Sequence, residues 1–253
     1  MTLPSFKQQL AAGRPLVGLW QALANPYSAE ICARQGFDWL LLDGEHSPNS
    51  IESLLAQAQA IAAFPVECIV RVAFGEPVVI KQYLDLGLHT LLVPMVETAE
   101  QAAGLVRACR YPPHGIRGVS SATSRGANFG IDADYLHTAS EKITLIVQIE
   151  SRLGLENVAE IAAVDGVDAL FIGPSDLAAS LGHLGNPRHP EVTEAIDAAY
   201  AAISAAGKPA GIFALSPDHA RASFAQGFAF ASVGTDIGLI INGARDVLQA
   251  VRG

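Results

Sequence analysis

The chain alternates short, almost wholly apolar runs with longer segments in which apolar residues recur at helical spacing. The short runs are rich in Val, Ile, Leu and Phe, and they lack the polar residue at every second position that marks a half-exposed strand. Continuous apolar strands are typical of parallel sheets that are covered on both faces. The pattern therefore predicts eight buried strands: Val17–Trp20, Trp39–Leu42, Cys68–Val72, Thr90–Val93, Leu145–Ile149, Ala169–Ile172, Gly211–Phe213 and Phe230–Val233.

Amphipathic segments separate most of these strands and predict helices between them. The interval Pro94–Thr144 is the longest and predicts a helix followed by an extended loop. The first residues, MTLPSFKQQLAAG, indicate a short amphipathic helix and lack the layout of a signal peptide. The predicted helices are Ser28–Gln35, Ile51–Ala62, Val78–Leu86, Ala99–Cys109, Leu155–Ala163, Glu191–Ala206 and Pro217–Gln226.

Regular alternation of strand and helix favours parallel βα units joined by right-handed crossovers. Eight such strands in 253 residues are typical of a (β/α)8 TIM barrel that forms a single domain over residues 1–253. An open doubly wound sheet is the alternative. That fold usually has a glycine-rich first turn, whereas the 23 glycines of this chain include no Gly-x-Gly pair. We therefore predict the barrel.

The composition excludes several classes of protein. Half of the residues are hydrophobic, which excludes a disordered chain, and the net charge of −9 leaves no basic surface for nucleic acid. The three cysteines stand far apart and form neither a disulfide framework nor a zinc-finger pattern. No uncharged apolar run is long enough to suggest a membrane span. These features predict a cytoplasmic protein with no membrane or nucleic-acid partner.

Ionisable residues cluster where the predicted strands end. Chemistry in (β/α)8 barrels takes place on the loops at the carboxyl ends of the strands. The strands themselves carry almost no charge, with Arg71 as the main exception. The remaining groups follow strands two, five, six and eight, as Asp43-Gly44-Glu45-His46, Gln148-Ile149-Glu150, Gly173-Pro174-Ser175-Asp176 and Gly234-Thr235-Asp236. The position of these groups directly after the strands predicts one active site at this rim of the barrel.

Glu150 and Asp176 end adjacent strands, so both carboxylates can point into one mouth. Two oxygen ligands completed by water suit Mg²⁺ or Mn²⁺ better than Zn²⁺. The alternative for Asp176 is that it caps the helix starting at Pro174. Gln148 lies two residues before Glu150, so on a regular strand both side chains face the same side.

Arg71 lies within the apolar run Cys-Ile-Val-Arg-Val. A guanidinium in such a strand requires anionic partners, because its desolvation is otherwise costly. These partners can be a substrate or, alternatively, Asp43 or Glu45 in a structural ion pair. His46 can be a solvated loop histidine, but its acidic neighbours favour a functional role. Asp85, late in a helix, would by itself pass as an exposed charge.

The chain contains only four lysines, and none lies near the carboxyl end of a predicted strand. A Schiff-base aldolase or a pyridoxal enzyme needs such a lysine, so both are disfavoured. A rim with acids, one arginine and one histidine suits metal-assisted enolate chemistry instead. The chain also lacks a phosphate-binding glycine loop, so we expect no nucleotide cofactor.

Six segments together resemble the metal-dependent class II pyruvate aldolases, which include 4-hydroxy-2-oxoheptane-1,7-dioate, 2-dehydro-3-deoxyglucarate and hydroxypyruvate/pyruvate aldolases. The resemblance runs from Phe6 to the C-terminus, with motifs on most strands in the same order. The segments are Gly18–Trp20, Phe37–His46, Leu91–Val96, Tyr111–Val119, Val147–Glu150 and Phe171–Leu177.

The resemblance implies a binding role for each matching position. Glu150 and Asp176 match the metal ligands for Mn²⁺, Mg²⁺ or Co²⁺, with water and the keto acid completing the coordination. The implied substrate-binding positions are Arg71, Gln148, Gly173, Pro174, Ser175 and Asp176.

The resemblance also implies the catalytic residues. His46 matches the general base, Arg71 matches the arginine that stabilises the developing enolate, and Asp85 matches an acid that raises the basicity of His46. A contact between Asp85 and His46 requires either that the helix after strand three lies beside the loop after strand two, or that Asp85 comes from a neighbouring subunit.

The implied reaction is cleavage or formation of 4-hydroxy-2-oxo acids from pyruvate, or an analogue such as hydroxypyruvate, and an aldehyde, through a metal-stabilised enolate. The segment Ile237–Val251 is apolar on more than one helical face, and the resemblance implies that it packs across a subunit interface in a homohexamer. One alternative is another metal-enolate lyase that handles phosphoenolpyruvate or an acyl-CoA. A second is a non-catalytic keto-acid-binding barrel, which would have no use for His46.

Overall fold

Eight parallel strands close into a barrel in the computed structural model, which describes residues 4–253. The strands follow one another around the barrel in sequence order, and the last pairs with the first. This closure confirms the predicted (β/α)8 barrel and excludes the open doubly wound sheet. The strands are β1 (Leu16–Gln21), β2 (Trp39–Asp43), β3 (Glu67–Arg71), β4 (Thr90–Val93), β5 (Thr144–Ile149), β6 (Ala169–Ile172), β7 (Ala210–Phe213) and β8 (Phe230–Thr235).

Helices connect the strands and form the outer layer. They are α1 (Phe6–Ala11), α2 (Pro26–Ala33), α3 (Ile51–Ile61), α4 (Pro77–Asp85), α5 (Ala99–Cys109), α6 (Tyr135–Lys142), α7 (Arg152–Glu156), α8 (Val158–Ala162), α9 (Pro174–Ser180), α10 (Pro190–Ala205), α11 (Pro217–Gln226) and α12 (Asp236–Arg252). A 3₁₀ turn, Asn128–Gly130, lies in the long loop before α6.

The helix predictions are confirmed except at two places. The predicted helix Leu155–Ala163 is interrupted at Asn157, whose ψ of 8° leaves the helical range and separates α7 from α8. The interval Pro94–Thr144 holds a second helix, α6, beyond the one predicted. Both differences fall in short helices, for which sequence periodicity is weak.

Alternate residues of each strand face two separate cores. Leu41 of β2 packs inside the barrel, whereas its neighbours Leu40 and Leu42 pack against the outer helices. Because both faces are buried, the strand is apolar at every position. This explains why the strands appear in the sequence as continuous hydrophobic runs.

Aromatic side chains and α1 close the amino-terminal end of the barrel. Phe6 of α1 is fully buried and makes edge-to-face contacts with Trp39 and Phe230, at 6.5 Å and 5.4 Å between ring centres. A Cβ atom at Gly18 would lie 2.0 Å from the Trp39 ring, so only glycine fits beside this indole. The interior is therefore filled at one end and accessible from the carboxyl ends of the strands.

The C-terminal helix α12 extends away from this core. Asp236, its first residue, is buried and accepts hydrogen bonds from the backbone N–H groups of Ala22 and Leu23 at 2.8 and 3.1 Å. The rest of α12 is partly or fully exposed, including Ile237, Leu239, Ile240, Ile241, Val247, Leu248 and Val251. Within residues 4–253, no helix combines the length and apolar character needed to cross a bilayer.

Candidate active site

The carboxyl ends of the strands surround a cavity of about 280 Å³. It is lined by seven of the predicted site residues, which are His46, Arg71, Gln148, Gly173, Pro174, Ser175 and Asp176. Three aromatic residues, Trp20, Phe171 and Phe213, form its apolar wall. The barrel therefore brings together side chains from the loops after β2 and β6 and from β3 and β5.

Arg71 lies at the end of β3 and is held by two carboxylates. Its Nε and Nη2 donate to the two oxygens of Asp43 at 2.9 and 2.8 Å, and its Nη1 lies 2.8 Å from an oxygen of Glu45. The guanidinium also lies over the Trp20 ring, 5.0 Å from its centre. The structural ion pair considered from the sequence is thus present with both acids, and Arg71 lines the cavity as well.

Asp43 organises the loop that carries His46. Besides binding Arg71, its side chain accepts hydrogen bonds from the backbone N–H groups of Glu45 and His46 at 3.0 and 3.3 Å. Burial alone would raise the pKa of Asp43, but Arg71 and these N–H groups together hold it below its ordinary value. From the sequence, Asp43 is expected at this rim and as an ion-pair partner of Arg71, but not as the residue that holds the His46 loop. Its place at the end of β2, next to the flexible Gly44, is the signal that could have identified it.

Gly44 allows the loop after β2 to turn tightly against β3. Its N–H donates to the carbonyl oxygen of Arg71 at 2.9 Å, and a Cβ atom would lie 2.7 Å from the same oxygen. The hydroxyl of Tyr83 would lie 2.9 Å from that Cβ on the other side. A larger residue would displace the segment that positions Glu45 and His46.

His46 is exposed at the mouth of the cavity, and its Nε2 lies 3.8 Å from Glu45 Oε2. Asp85 does not contact it within residues 4–253 of one chain. Helices of a (β/α)8 barrel run back from the mouth to the opposite rim, and Asp85 is the last of the nine residues of α4, roughly 12 Å of helix from its start. Contact between the two across a subunit boundary stays a prediction.

Asp85 instead binds Arg117. Its Oδ1 accepts from Arg117 Nη2 at 2.8 Å, and the Arg117 side chain is fully buried between the rings of Tyr111 and Tyr135. The Arg117 guanidinium lies 4.6 Å from the centre of the Tyr111 ring. Asp85 is therefore the charge partner of a buried cation. Arg117 is not among the site residues predicted from the sequence.

Glu150 is a buried acid at the end of β5. Its Oε1 accepts from the backbone N–H of Met95 at 2.8 Å, and its Oε2 accepts from Gln148 Nε2. Met95 has φ of 54°, a left-handed conformation that is uncommon outside glycine, and it orients this N–H toward the carboxylate. Burial raises the pKa of Glu150 to about 7, with the charges of Asp176 and Glu45 adding to the effect of burial and the Met95 N–H and Arg71 opposing it.

Asp176 lies in the first turn of α9 and is exposed at the cavity. The N-cap of α9 is Gly173 and Pro174 follows it, so Asp176 is not the capping residue considered as the alternative. A carboxylate in the first turn of a helix is nevertheless favoured by the helix dipole. The residue is therefore compatible with the helix start and free to bind a ligand.

The polar groups around Glu150 fit a divalent cation. The charge of Asp176 helps to raise the pKa of both Glu45 and Glu150, and a cation among these carboxylates would relieve this repulsion. The carbonyl Oε1 of Gln148 is buried without a hydrogen-bond partner in the described part of the chain. The donors are all oxygens, which suits Mg²⁺, Mn²⁺ or Co²⁺.

Gly173 provides a direct test of this arrangement. Its φ of −101° is allowed for alanine, but a Cβ atom would lie 2.7 Å from Glu150 Oε2 and 2.8 Å from Gln148 Nε2. We expect Gly173→Ala to fold and to bind Mn²⁺ roughly 10- to 100-fold more weakly in a calorimetric titration, as when the support of a metal ligand is removed.

Gly104→Ala is the matched control, because a Cβ atom there meets nothing closer than 3.8 Å. It should leave Mn²⁺ binding unchanged. Equal Mn²⁺ affinities for Gly173→Ala and the wild type would contradict the packing of Glu150 and Gln148 against this glycine.

Comparisons with known proteins agree with this geometry. The family model of the HpcH/HpaI aldolase/citrate lyase family matches residues 16–243. A hydroxypyruvate/pyruvate aldolase of Deinococcus radiodurans is 58% identical over 98% of this chain and 90% of its own length. A 4-hydroxy-2-oxo-heptane-1,7-dioate aldolase of Salmonella dublin is 50% identical over 95% of this chain and 91% of its own.

A crystal structure of a HpcH/HpaI aldolase/citrate lyase family protein from Burkholderia cenocepacia superimposes with a TM-score of 0.95 at 44% identity, covering 98% of each chain. The match extends across the whole barrel and so includes every strand that contributes to the cavity. These findings confirm the family indicated by the sequence motifs: the chain belongs to the HpcH/HpaI aldolase/citrate lyase family.

Proposed function

We propose that this chain is a divalent-metal-dependent aldolase. It cleaves 4-hydroxy-2-oxo acids to an aldehyde and pyruvate, or a close analogue such as hydroxypyruvate, and forms them in the reverse direction. The observation that carries the proposal is that Arg71, His46 and Asp176 meet at one barrel mouth, beside the buried carboxylate of Glu150 that Gln148 binds. The relatives are named as aldolases, which are carbon–carbon lyases, and these names support the same reaction class.

Glu150 and Asp176 would hold the cation, which we propose to be Mn²⁺, Mg²⁺ or Co²⁺. When bound, it supplies a Lewis acid that polarises the keto group of the substrate. Met95 and Gln148 each bind one oxygen of Glu150 and so fix the orientation of this ligand.

The keto acid binds beside this position in our proposal. Gln148 lines the cavity beside Glu150, and the missing side chain at Gly173 leaves room next to the Glu150 carboxylate. Pro174 and Ser175 continue the cavity wall toward Asp176. A cavity lined in this way suits a small substrate that is polar at one end.

Arg71 stabilises the negative charge that develops on the C2 oxygen as the C3–C4 bond breaks. Three of its five N–H donors are engaged by Asp43 and Glu45, which leaves one N–H on each terminal nitrogen for the substrate. Because both carboxylates hold the guanidinium in place, little reorganisation is required when the charge appears. Preorganised donors of this kind often contribute the largest share of catalysis.

His46 is the proposed general base. It lies on the rim of the cavity, where it can take the proton of the C4 hydroxyl directly or through water. The C3–C4 bond then breaks, the aldehyde leaves with a new C=O bond, and the electron pair passes to the three-carbon fragment. Protonation of C3 yields pyruvate. The aromatic wall of Trp20, Phe171 and Phe213 lies where the departing aldehyde would be sheltered from water.

We also propose a homo-oligomer, a hexamer by resemblance, in the cytoplasm. The apolar residues of α12 are exposed in the single chain, and a second subunit would cover them. An Asp85 from a neighbouring subunit could then approach His46. Its side chain is 23% exposed, so Arg117 leaves part of it accessible.

Metal dependence is the first test of the function. Chelation with EDTA should abolish aldol cleavage, and Mn²⁺, Co²⁺ or Mg²⁺ should restore it. We expect Glu150→Gln to lower kcat/KM more than about 100-fold, beyond what is typical for groups that only support a metal ligand. Glu156→Gln, at an exposed acid at the end of α7, is the matched control and should be fully active. Cleavage that survives both EDTA and Glu150→Gln would refute the proposal.

Subunit complementation tests the pairing of His46 with Asp85. Alone, His46→Ala and Asp85→Asn should each lower turnover by roughly 10²- to 10⁴-fold. Co-expressed with different tags and purified as hybrids, they should regain activity at about a quarter of the sites, if subunits pair at random across a two-fold interface.

Hybrids of His46→Ala with Glu150→Gln are the control. Both residues belong to the same chain's cavity, so no site is complete and no activity should return. A normal turnover of Asp85→Asn would refute the pairing with His46 and show that Asp85 serves only as the ion-pair partner of Arg117. A monomer by light scattering at micromolar concentration would refute the oligomer.

A further inference from the structure

A second group of potential metal ligands lies outside the barrel mouth, in the loop between α9 and α10. It consists of His183, His189 and Glu191, the last in the first turn of α10. One ligand atom from each residue lies within 4.8 Å of the others. None of the three lines the cavity that holds Arg71 and Asp176.

The side chains of this group already contact one another. His183 Nε2 lies 2.7 Å from Glu191 Oε2, and the His183 and His189 rings are stacked with their centres 3.6 Å apart and their planes within 15°. His189 also caps α10, because its Nδ1 accepts from the N–H of Glu191 at 3.3 Å. The three groups are thus gathered at one point before any ligand binds.

The backbone of the loop holds both histidines in place. The N–H of His183 donates to the carbonyl of Ala178 at 2.7 Å, and the N–H of Asn186 donates to the carbonyl of His183 at 2.9 Å. The N–H of His189 then donates to the carbonyl of Asn186 at 3.1 Å. Because these bonds link consecutive turns, little loop ordering is needed for the two rings to act together.

We propose that His183, His189 and Glu191 form a zinc site. Two imidazoles and one carboxylate are a characteristic donor set for Zn²⁺, with water at the fourth position. Zinc–ligand bonds place neighbouring ligand atoms roughly 3.3 Å apart, and the stacked His183 and His189 rings would turn apart so that one nitrogen of each points at the ion. The partial positive charge at the start of α10 opposes a cation, and the Glu191 carboxylate offsets it.

This donor set differs from the oxygen-only set of Glu150 and Asp176, so the two sites should prefer different metals. A zinc ion here would join the end of α9 to the start of α10. The opposite end of α9 carries Ser175 and Asp176 at the cavity. Because the three side chains are gathered only in the folded chain, a bound zinc ion should raise its unfolding temperature. The zinc site does not depend on the proposed aldolase activity.

The test is a calorimetric zinc titration of tag-free protein. In a Glu150→Gln/Asp176→Asn parent, we expect one zinc equivalent to remain. Adding His183→Gln or His189→Asn should weaken it at least about tenfold, in line with loss of a metal-supporting group. His137→Gln, at an exposed histidine of α6, is the matched control and should bind zinc as the parent does.

His189→Asn separates ligation from folding, because asparagine keeps a side-chain acceptor at the N-cap of α10. Its zinc-free unfolding temperature should match that of the parent. In a parallel titration, His183→Gln in the otherwise wild-type chain should bind one zinc equivalent fewer than the wild type. Co²⁺ in the same parent should give visible d–d absorption that disappears with either histidine variant. A parent that binds no zinc, or histidine variants with undiminished zinc affinity, would overturn the proposal.

Discussion

The guanidinium of Arg71, held between Asp43 and Glu45, is the interaction on which the rest of the site depends. β2 and β3 pair so that Asp43 lies directly beside Arg71, and the two side chains meet at the point where both strands end. The same Asp43 carboxylate binds the N–H groups of the loop that carries His46. A buried charge that lost one of these partners would be strongly destabilised, so loop, strand and cation are positioned together.

The barrel explains why the charges gather at one end. Its interior is filled with aromatic and aliphatic side chains, and α1 closes the amino-terminal end through Phe6. The carboxyl ends of the strands, by contrast, surround a cavity with polar walls. In this setting Glu150 is buried enough for its pKa to rise to about 7, which favours a site where a cation completes the charge balance.

The sequence was sufficient to predict the strands and the need of Arg71 for anionic partners. It was not sufficient to predict the contacts between residues that are distant along the chain. Continuous apolar runs identify strands buried on both faces, and an arginine within such a run requires anions. The hold of Asp43 on the His46 loop depends on strand register, and the support of Glu150 by Met95 depends on one left-handed residue. The helical pattern places Asp85 on a helix, but its ion pair with the buried Arg117 follows from the packing of the long loop before α6.

The most direct test of the central claim is the exchange of the pyruvate C3 protons in D₂O, followed by NMR without any aldehyde. The wild type with Mn²⁺ or Mg²⁺ should exchange these protons far above the buffer rate, and EDTA should abolish the effect. Arg71→Lys keeps the positive charge but loses the two-pronged contact with Asp43, so its exchange should fall sharply. Absence of metal-dependent exchange in the wild type, or undiminished exchange in Arg71→Lys, would contradict the account.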